Sequence, residues 1–255
     1  MTEQTFLPTL VLLRGLMREC RHWGDFGAQL QQLLGTPLAT PDLAGNGRRW
    51  RQRSPASVAA MVDDLRLQLG PAQPPYLLVA LSLGGMVALE WARLYPDEVA
   101  GIVLINSSAR PLSPLWQRLR PRSWSSLLTQ GLQVAAKREP GIWQLTSNRR
   151  KEPAIIRDWQ QWAHECPVSI SNGLRQLWAA SQYRLQQPPT VPMLVLTSRG
   201  DRLVDWRCSN ALATYCEAAL QVHPEAGHDL PLDDSNWCVA HIGSWWRLNR
   251  PSPAV

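Results

Sequence analysis

One heptapeptide constrains this chain more than any other stretch: Val79-Ala80-Leu81-Ser82-Leu83-Gly84-Gly85. Residues 76–81 before the serine form a short apolar run with the length and composition of a strand. Met86-Val87-Ala88-Leu89-Glu90-Trp91-Ala92, just after it, reads at once as helix. A strand that turns into a helix at a single serine leaves no room beside it. Side chains two positions away on either side would meet neighbouring backbone, and the sequence places Ala80 and Gly84 there. Such a turn lifts the serine Oγ above the sheet, beside a helix N-terminus that favours developing negative charge. The competing reading is a serine that only caps a core helix.

Two later polar groups follow strand-like runs in the same manner. Val191-Pro192-Met193-Leu194-Val195-Leu196-Thr197 leads into Ser198-Arg199-Gly200-Asp201, and Ala219-Leu220-Gln221-Val222-His223 leads into Pro224-Glu225-Ala226-Gly227-His228. Open α/β sheets carry their sites in the loops past the carboxyl ends of strands. A serine hydroxyl is a weak nucleophile and needs an oriented base. His228 would take the Ser82 proton and return it to the leaving group, while Asp201 would hold the imidazole in the right tautomer. Asp205, in front of a helical run, and Asp229, next to His228, are the rivals of Asp201. Asp63 and Asp64 fall in a helical pattern and read as solvated.

With these residues, the chain resembles the α/β-hydrolase superfamily, whose nucleophile, acid and base occur in the order Ser82, Asp201, His228. It is most similar to small bacterial carboxylesterases of the pimeloyl-carrier-protein methyl ester esterase type. The matching segments are Leu12-Leu13-Arg14-Gly15, Pro41-Asp42-Leu43-Ala44-Gly45-Asn46-Gly47, residues 80–85, the Asp201 loop and Gly227-His228. They span residues 10–248, and residues 108–187 match only as a cap-sized insertion.

The resemblance implies a serine hydrolase that cleaves a carboxylic ester or thioester through an acyl-enzyme, without metal or organic cofactor. It also implies an oxyanion hole made by the backbone N–H groups of Leu16 and Leu83, each such donor being worth about 10²–10³ in rate. Three positions depart from the pattern. Arg14-Gly15 replaces a common His-Gly, Asn46 replaces a common histidine, and Ser198 replaces a common glycine before the acid. Arg14 is expected either to form a different hydrogen-bond set or to bind an anionic group of the substrate, with Trp23 as a second candidate contact. A serine at position 82 argues against epoxide hydrolases and haloalkane dehalogenases, which need an aspartate there. The alternative is that the same triad performs C–C bond hydrolysis or elimination on a carboxylate-bearing substrate, as in the menaquinone-pathway synthase.

At 255 residues the chain can hold one α/β domain with a sizeable core. Strand-like runs are expected at residues 9–16, 37–40, 76–81, 99–105, 193–197 and 219–223, and helical spacing lies between them. Alternation of this kind predicts a mainly parallel, doubly wound sheet. Relatives usually begin with an extra antiparallel pair, for which the residues before the first run leave no room. Residues 1–107 and 189–255 form the expected core, and residues 108–188 an inserted helical cap. The insertion holds six tryptophans, and between residues 118 and 184 eleven Lys/Arg stand against four acids, a balance of +7 where the whole chain carries +6. Tryptophans lining an acyl pocket and solvated arginines are the expected reading, and the basic face would attract an acidic acyl carrier protein. Base stacking and phosphate contact, making the insertion a nucleic-acid or protein binding module, is the lesser alternative. No apolar run approaches 18 residues, so no membrane span is expected, and the N-terminus lacks the pattern of a signal peptide. Five cysteines without metal-ligand spacing read as free thiols of a cytoplasmic protein.

Overall fold

The computed structural model describes residues 7–70, 74–131, 133–148 and 152–250. Six strands build one sheet in the order β2-β1-β3-β4-β5-β6: β1 (Thr9–Leu13), β2 (Leu38–Ala39), β3 (Tyr76–Leu81), β4 (Val99–Ile105), β5 (Met193–Ser198) and β6 (Ala219–His223). Every neighbouring pair is parallel. The apolar runs are continuous because both faces of the central strands are covered. Successive residues divide between two cores: Val11 and Leu13 join one, Leu10 and Leu12 the other. The first core lies under α2 (Val58–Leu69), α3 (Leu83–Leu94) and α9 (Trp206–Tyr215), and the second under α1 (Phe26–Leu34) and α11 (Ser235–Asn249). Each such aliphatic or aromatic side chain, removed from water, contributes roughly 1.5–3 kcal/mol.

The register brings the carboxyl ends of the strands to one edge. Leu13 pairs with Ala80, Leu81 with Ile105, Ile105 with Leu196, and Ser198 with His223. The loops bearing Arg14, Ser82, Asn106, Asp201 and His228 therefore leave the sheet on the same side. A short helix α10 (Leu230–Asp233) follows His228. Strand β1 stops at Leu13, three residues short of the expected 9–16 run. Beyond it the Arg14 side chain turns to Asp229, and Met17 takes a left-handed φ of 57°, which a strand does not allow.

Between β4 and β5 the described residues form five α-helices: α4 (Leu115–Arg118), α5 (Trp124–Gly131), α6 (Ala135–Thr146), α7 (Pro153–Glu165) and α8 (Ile170–Gln182). Polar anchors fasten them to the sheet loops. Gln176, fully buried on α8, accepts from Met17 N–H at 2.9 Å and donates to Asn46 at 2.8 Å and Ser54 at 3.0 Å. Asn148, just past α6, donates to the carbonyls of Gly200 and Glu225 at 2.8 and 2.9 Å. Asp233 on α10 accepts from Asn148 N–H at 2.8 Å, from Gly227 N–H at 2.6 Å and from the Ser147 hydroxyl.

Other residues of the insertion differ from expectation. Trp159 and Trp143 are buried, whereas Trp116, Trp124 and Trp178 are exposed. Arg118 and Arg138 are buried and so not solvated. Arg149, Arg150 and Lys151, part of the basic balance, lie outside the described residues. In the core, Asp64 is not simply solvated, because Arg49 grips both its oxygens at 2.6 Å, and Asp63 accepts from the Tyr95 hydroxyl at 2.8 Å. All five cysteines are free. Among the described residues, no helix is long and apolar enough to cross a membrane.

Candidate active site

Ser82 occupies the turn between β3 and α3 with φ 57° and ψ −117°. A non-glycine residue in that region stores strain, which persists only where the surroundings over-determine it. Here Ser82 N–H donates to Ile105 at 2.9 Å, and its carbonyl accepts from Gly85 N–H at 2.9 Å and from the Ser107 hydroxyl at 2.8 Å. Gly84 is obligatory: a Cβ there would stand 2.3 Å from the Leu13 carbonyl oxygen and 2.9 Å from that of Arg14. The turn therefore packs directly on the loop after β1.

His228 follows β6, and its Nδ1 lies 2.7 Å from Asp201 Oδ2. Asp201 is itself held, since its Oδ1 accepts from the N–H groups of Leu203 at 2.7 Å and Val204 at 3.0 Å. Its rival Asp205 caps α9 by accepting from Arg207 N–H at 3.0 Å and pairs with Arg120 at 3.1 Å. Burial alone would push His228 down. The charge and hydrogen bond of Asp201, helped by Asp229, outweigh burial and Arg14, and hold it above the ordinary histidine value. A carboxylate on Nδ1 leaves Nε2 as the proton acceptor.

Ser82 and His228 line one cavity of about 200 Å³. No hydrogen bond joins them among the described contacts; links of this kind commonly tighten only when substrate binds. Leu16 and Leu83 line the same cavity. Neither N–H donates to another described group, and that of Leu83 is an unpaired donor of the first turn of α3. Leu119, Ile142, Leu145, Leu177, Leu203 and Val204 give the cavity its apolar walls. Among the described residues, no tryptophan lines it. Trp159 and Trp162 instead pack against His22, and against the guanidinium groups of Arg18 and Arg21.

Arg14 reaches the cavity wall, but its charge is already matched: Nη1 and Nη2 donate to the two oxygens of Asp229 at 3.1 and 2.6 Å. Trp23 lies behind it, 4.6 Å from the guanidinium, stacked on Phe26 and outside the cavity lining. Asn46, in place of a histidine, donates to the Arg18 carbonyl at 2.9 Å and accepts from Gln176, so it serves the loop that carries Leu16. Ser198 donates to the Ala226 carbonyl and ties β5 to the His228 loop. His22 is buried, and desolvation together with Arg18 and Arg14 holds it well below the ordinary histidine value.

Sequence reasoning missed Asn106. Its amide donates to the carbonyls of His228 at 2.8 Å and Gly227 at 3.2 Å, and its oxygen accepts from Ser198 N–H at 3.0 Å and the Thr197 hydroxyl at 3.1 Å. The available signal was a polar residue directly after the apolar run 99–105, the same signal that marked Ser82. Among the described residues, no group of three or more His, Cys, Asp or Glu is placed to hold a metal ion.

The model of the alpha/beta hydrolase family matches residues 10–240. The chain belongs to the alpha/beta hydrolase family. RutD of Cronobacter turicensis, which bears the name of a carbamate hydrolase, is 31% identical over 162 residues, covering 60% of this chain and 58% of that protein. Lipase LipV of Mycobacterium tuberculosis is 34% identical over 102 residues, covering 39% of this chain and 37% of its own length. The chain thus aligns with less than two thirds of these curated relatives. The structure of a thermophilic esterase from Thermogutta terrifontis superposes with a TM-score of 0.73 at 22% identity, over 96% of this chain and 91% of that one. At that identity the likeness is one of fold.

Proposed function

We propose that this alpha/beta hydrolase cleaves carboxylic esters through an acyl-enzyme, with Ser82 as nucleophile, His228 as base and acid, and Asp201 as the group that orients His228. The observation that carries the reading is Ser82 in a strained left-handed turn, on the wall of the same apolar cavity as a histidine whose Nδ1 lies 2.7 Å from Asp201. Ser82 Oγ attacks the ester carbonyl while His228 Nε2 takes its proton. The carbonyl electron pair moves onto oxygen, which the N–H groups of Leu16 and Leu83 stabilise. The tetrahedral intermediate collapses, the C–O bond to the alcohol breaks, and His228 returns the proton to that oxygen. Water, deprotonated by His228, then releases the acid and restores Ser82.

Residues 108–188 act as a cap: α4, α6 and α8 supply Leu115, Ile142, Leu145 and Leu177 to the cavity and so shape the acyl or alcohol site. In the alternative chemistry, elimination or C–C cleavage, Arg14 is not the group that would hold substrate carboxylates, because both its Nη atoms already bind Asp229. The decisive experiment combines labelling by a fluorophosphonate with hydrolysis of p-nitrophenyl esters. The label is expected on Ser82, and Ser82→Ala is expected to keep the fold and lose nearly all turnover. A label on another serine, or wild-type turnover by Ser82→Ala, would overturn the assignment.

A further inference from the structure

Three arginines line the cavity: Arg14, Arg18 and Arg118. Two have carboxylate partners. Asp229 takes Arg14, and Glu139 takes Arg18 at 2.6 Å. Arg118, at the end of α4, is 8% exposed and has no carboxylate partner among the described residues. Among the described residues, its side chain donates from Nη2 to the Ala180 carbonyl at 2.7 Å, and its Nε is buried without a partner. The charged and titratable groups that act most directly on it are Arg110, a second cation, and the buried thiol of Cys208, while Arg14, Arg18, His228 and Asp229 share the wall of the same cavity. Burial pushes its guanidinium below the ordinary arginine value, with Arg110 adding to the effect. A guanidinium nevertheless stays charged in proteins. A buried cation without a counter-ion is costly, and proteins normally pair such groups with an acid.

We propose that Arg118 is the specificity residue of this site and takes a carboxylate of the substrate, so that the preferred esters are half-esters of dicarboxylic acids. The inference rests on the ester-hydrolase reading above and deepens it. A single uncompensated positive charge matches a monoanion. A dianionic phosphate monoester would replace an unpaired cation with an unpaired negative charge. The walls beside Arg118 are apolar, with Leu115, Leu119, Leu203 and Val204 among them, so a hydrocarbon spacer fits between the reacting carbonyl and the anion. At about 200 Å³ the cavity admits a small molecule. Arg14 was the residue expected to bind an anion, but it is neutralised by Asp229 and leaves that role to Arg118.

The test compares kcat/KM for monomethyl esters of linear dicarboxylic acids with that for their uncharged dimethyl esters, using wild-type protein, Arg118→Met and Arg118→Lys. A phosphate-terminated ester forms a third substrate arm. Wild-type protein is expected to favour a half-ester by roughly 10- to 100-fold, mostly through KM, the range of a charge-assisted hydrogen bond. Arg118→Met should bring the ratio of half-ester to neutral ester near one, and Arg118→Lys should restore part of it. A wild-type preference for the neutral diester, or a ratio unchanged in Arg118→Met, would overturn the role of Arg118. A preference for the phosphate-terminated ester would overturn the carboxylate assignment. The wild-type ratio decides even if Arg118→Met does not fold. Absence of turnover on every ester, neutral p-nitrophenyl esters included, would instead remove the hydrolase reading on which the proposal rests.

Discussion

Replacing Asp201 by asparagine separates orientation of the base from stability of its loop. In the native site, Oδ1 accepts the N–H groups of Leu203 and Val204 at 2.7 and 3.0 Å, while Oδ2 meets His228 Nδ1 at 2.7 Å. An asparagine is the same size, but its two ends differ. The two N–H donors demand the amide oxygen on the Oδ1 side, since an NH₂ there would leave both unpaired. That choice aims the NH₂ at His228 Nδ1. The imidazole must then accept at Nδ1 and carry its proton on Nε2, the tautomer that cannot deprotonate Ser82. A loss of about 10⁴ in turnover follows, or about 5.4 kcal/mol of barrier at 1.36 kcal/mol per decade. Because the turn keeps both backbone hydrogen bonds, the melting temperature should change by only a few degrees. The assay is ester hydrolysis paired with thermal melting, with Asp205→Asn as the control, a change that keeps the α9 cap and weakens the ion pairs with Arg120 and Arg207. Near-normal turnover in Asp201→Asn, or a large loss in Asp205→Asn, would refute the reasoning.

The charge and hydrogen bond of Asp201, which raise His228 above an ordinary histidine, shift the acid limb of kcat/KM to higher pH than a free imidazole would give. On the proposed mechanism the neutral imidazole is the base, so activity appears as pH rises through that limb, and a limb on the acid side of an ordinary histidine would contradict the environment described. Gly84→Ala forces a Cβ to within 2.3 Å of the Leu13 carbonyl oxygen, and equilibrium unfolding should reveal a loss of about 3 kcal/mol or more together with lost activity. Gln176→Leu strands Met17 N–H, Asn46 Oδ1 and one bond of Ser54. Urea titration should show a loss of about 2–5 kcal/mol, and turnover should fall because Met17 adjoins Leu16. If the basic face of the insertion docks an acidic carrier, carrier-linked esters should be turned over faster than free esters at low ionic strength, and that advantage should fade with salt. Equal rates at all salt concentrations would remove the docking idea.

Much of this protein was legible along the chain because the governing constraints are local. Period-two burial on both sheet faces compresses strands such as Leu77-Leu78-Val79-Ala80 into unbroken apolar runs. A sharp strand-to-helix turn demands small residues at fixed offsets, so Ala80 and Gly84 point to Ser82. His228 and Asp201 followed from their places after strands, because parallel strands present all their carboxyl ends on one edge. Which carboxylate serves His228 was not a local matter: Asp201 and Asp205 are both acids in one loop, and only the docking of that loop decides between them. Of the tryptophans expected in the pocket, Trp159 and Trp162 pack instead on His22, Arg18 and Arg21, and Trp116, Trp124 and Trp178 are exposed. Arg14 meets Asp229 across 215 positions of sequence, and nothing within either segment announces the pair. Once that pair forms, Arg14 loses its free charge, while Arg118 has no acid paired with it among the described residues. The sequence by itself determined the order of elements and the chemistry on offer, because each rests on spacing within a few residues. The tertiary structure decided which charges cancel and which one faces the cavity, because that depends on neighbours brought together from distant parts of the chain.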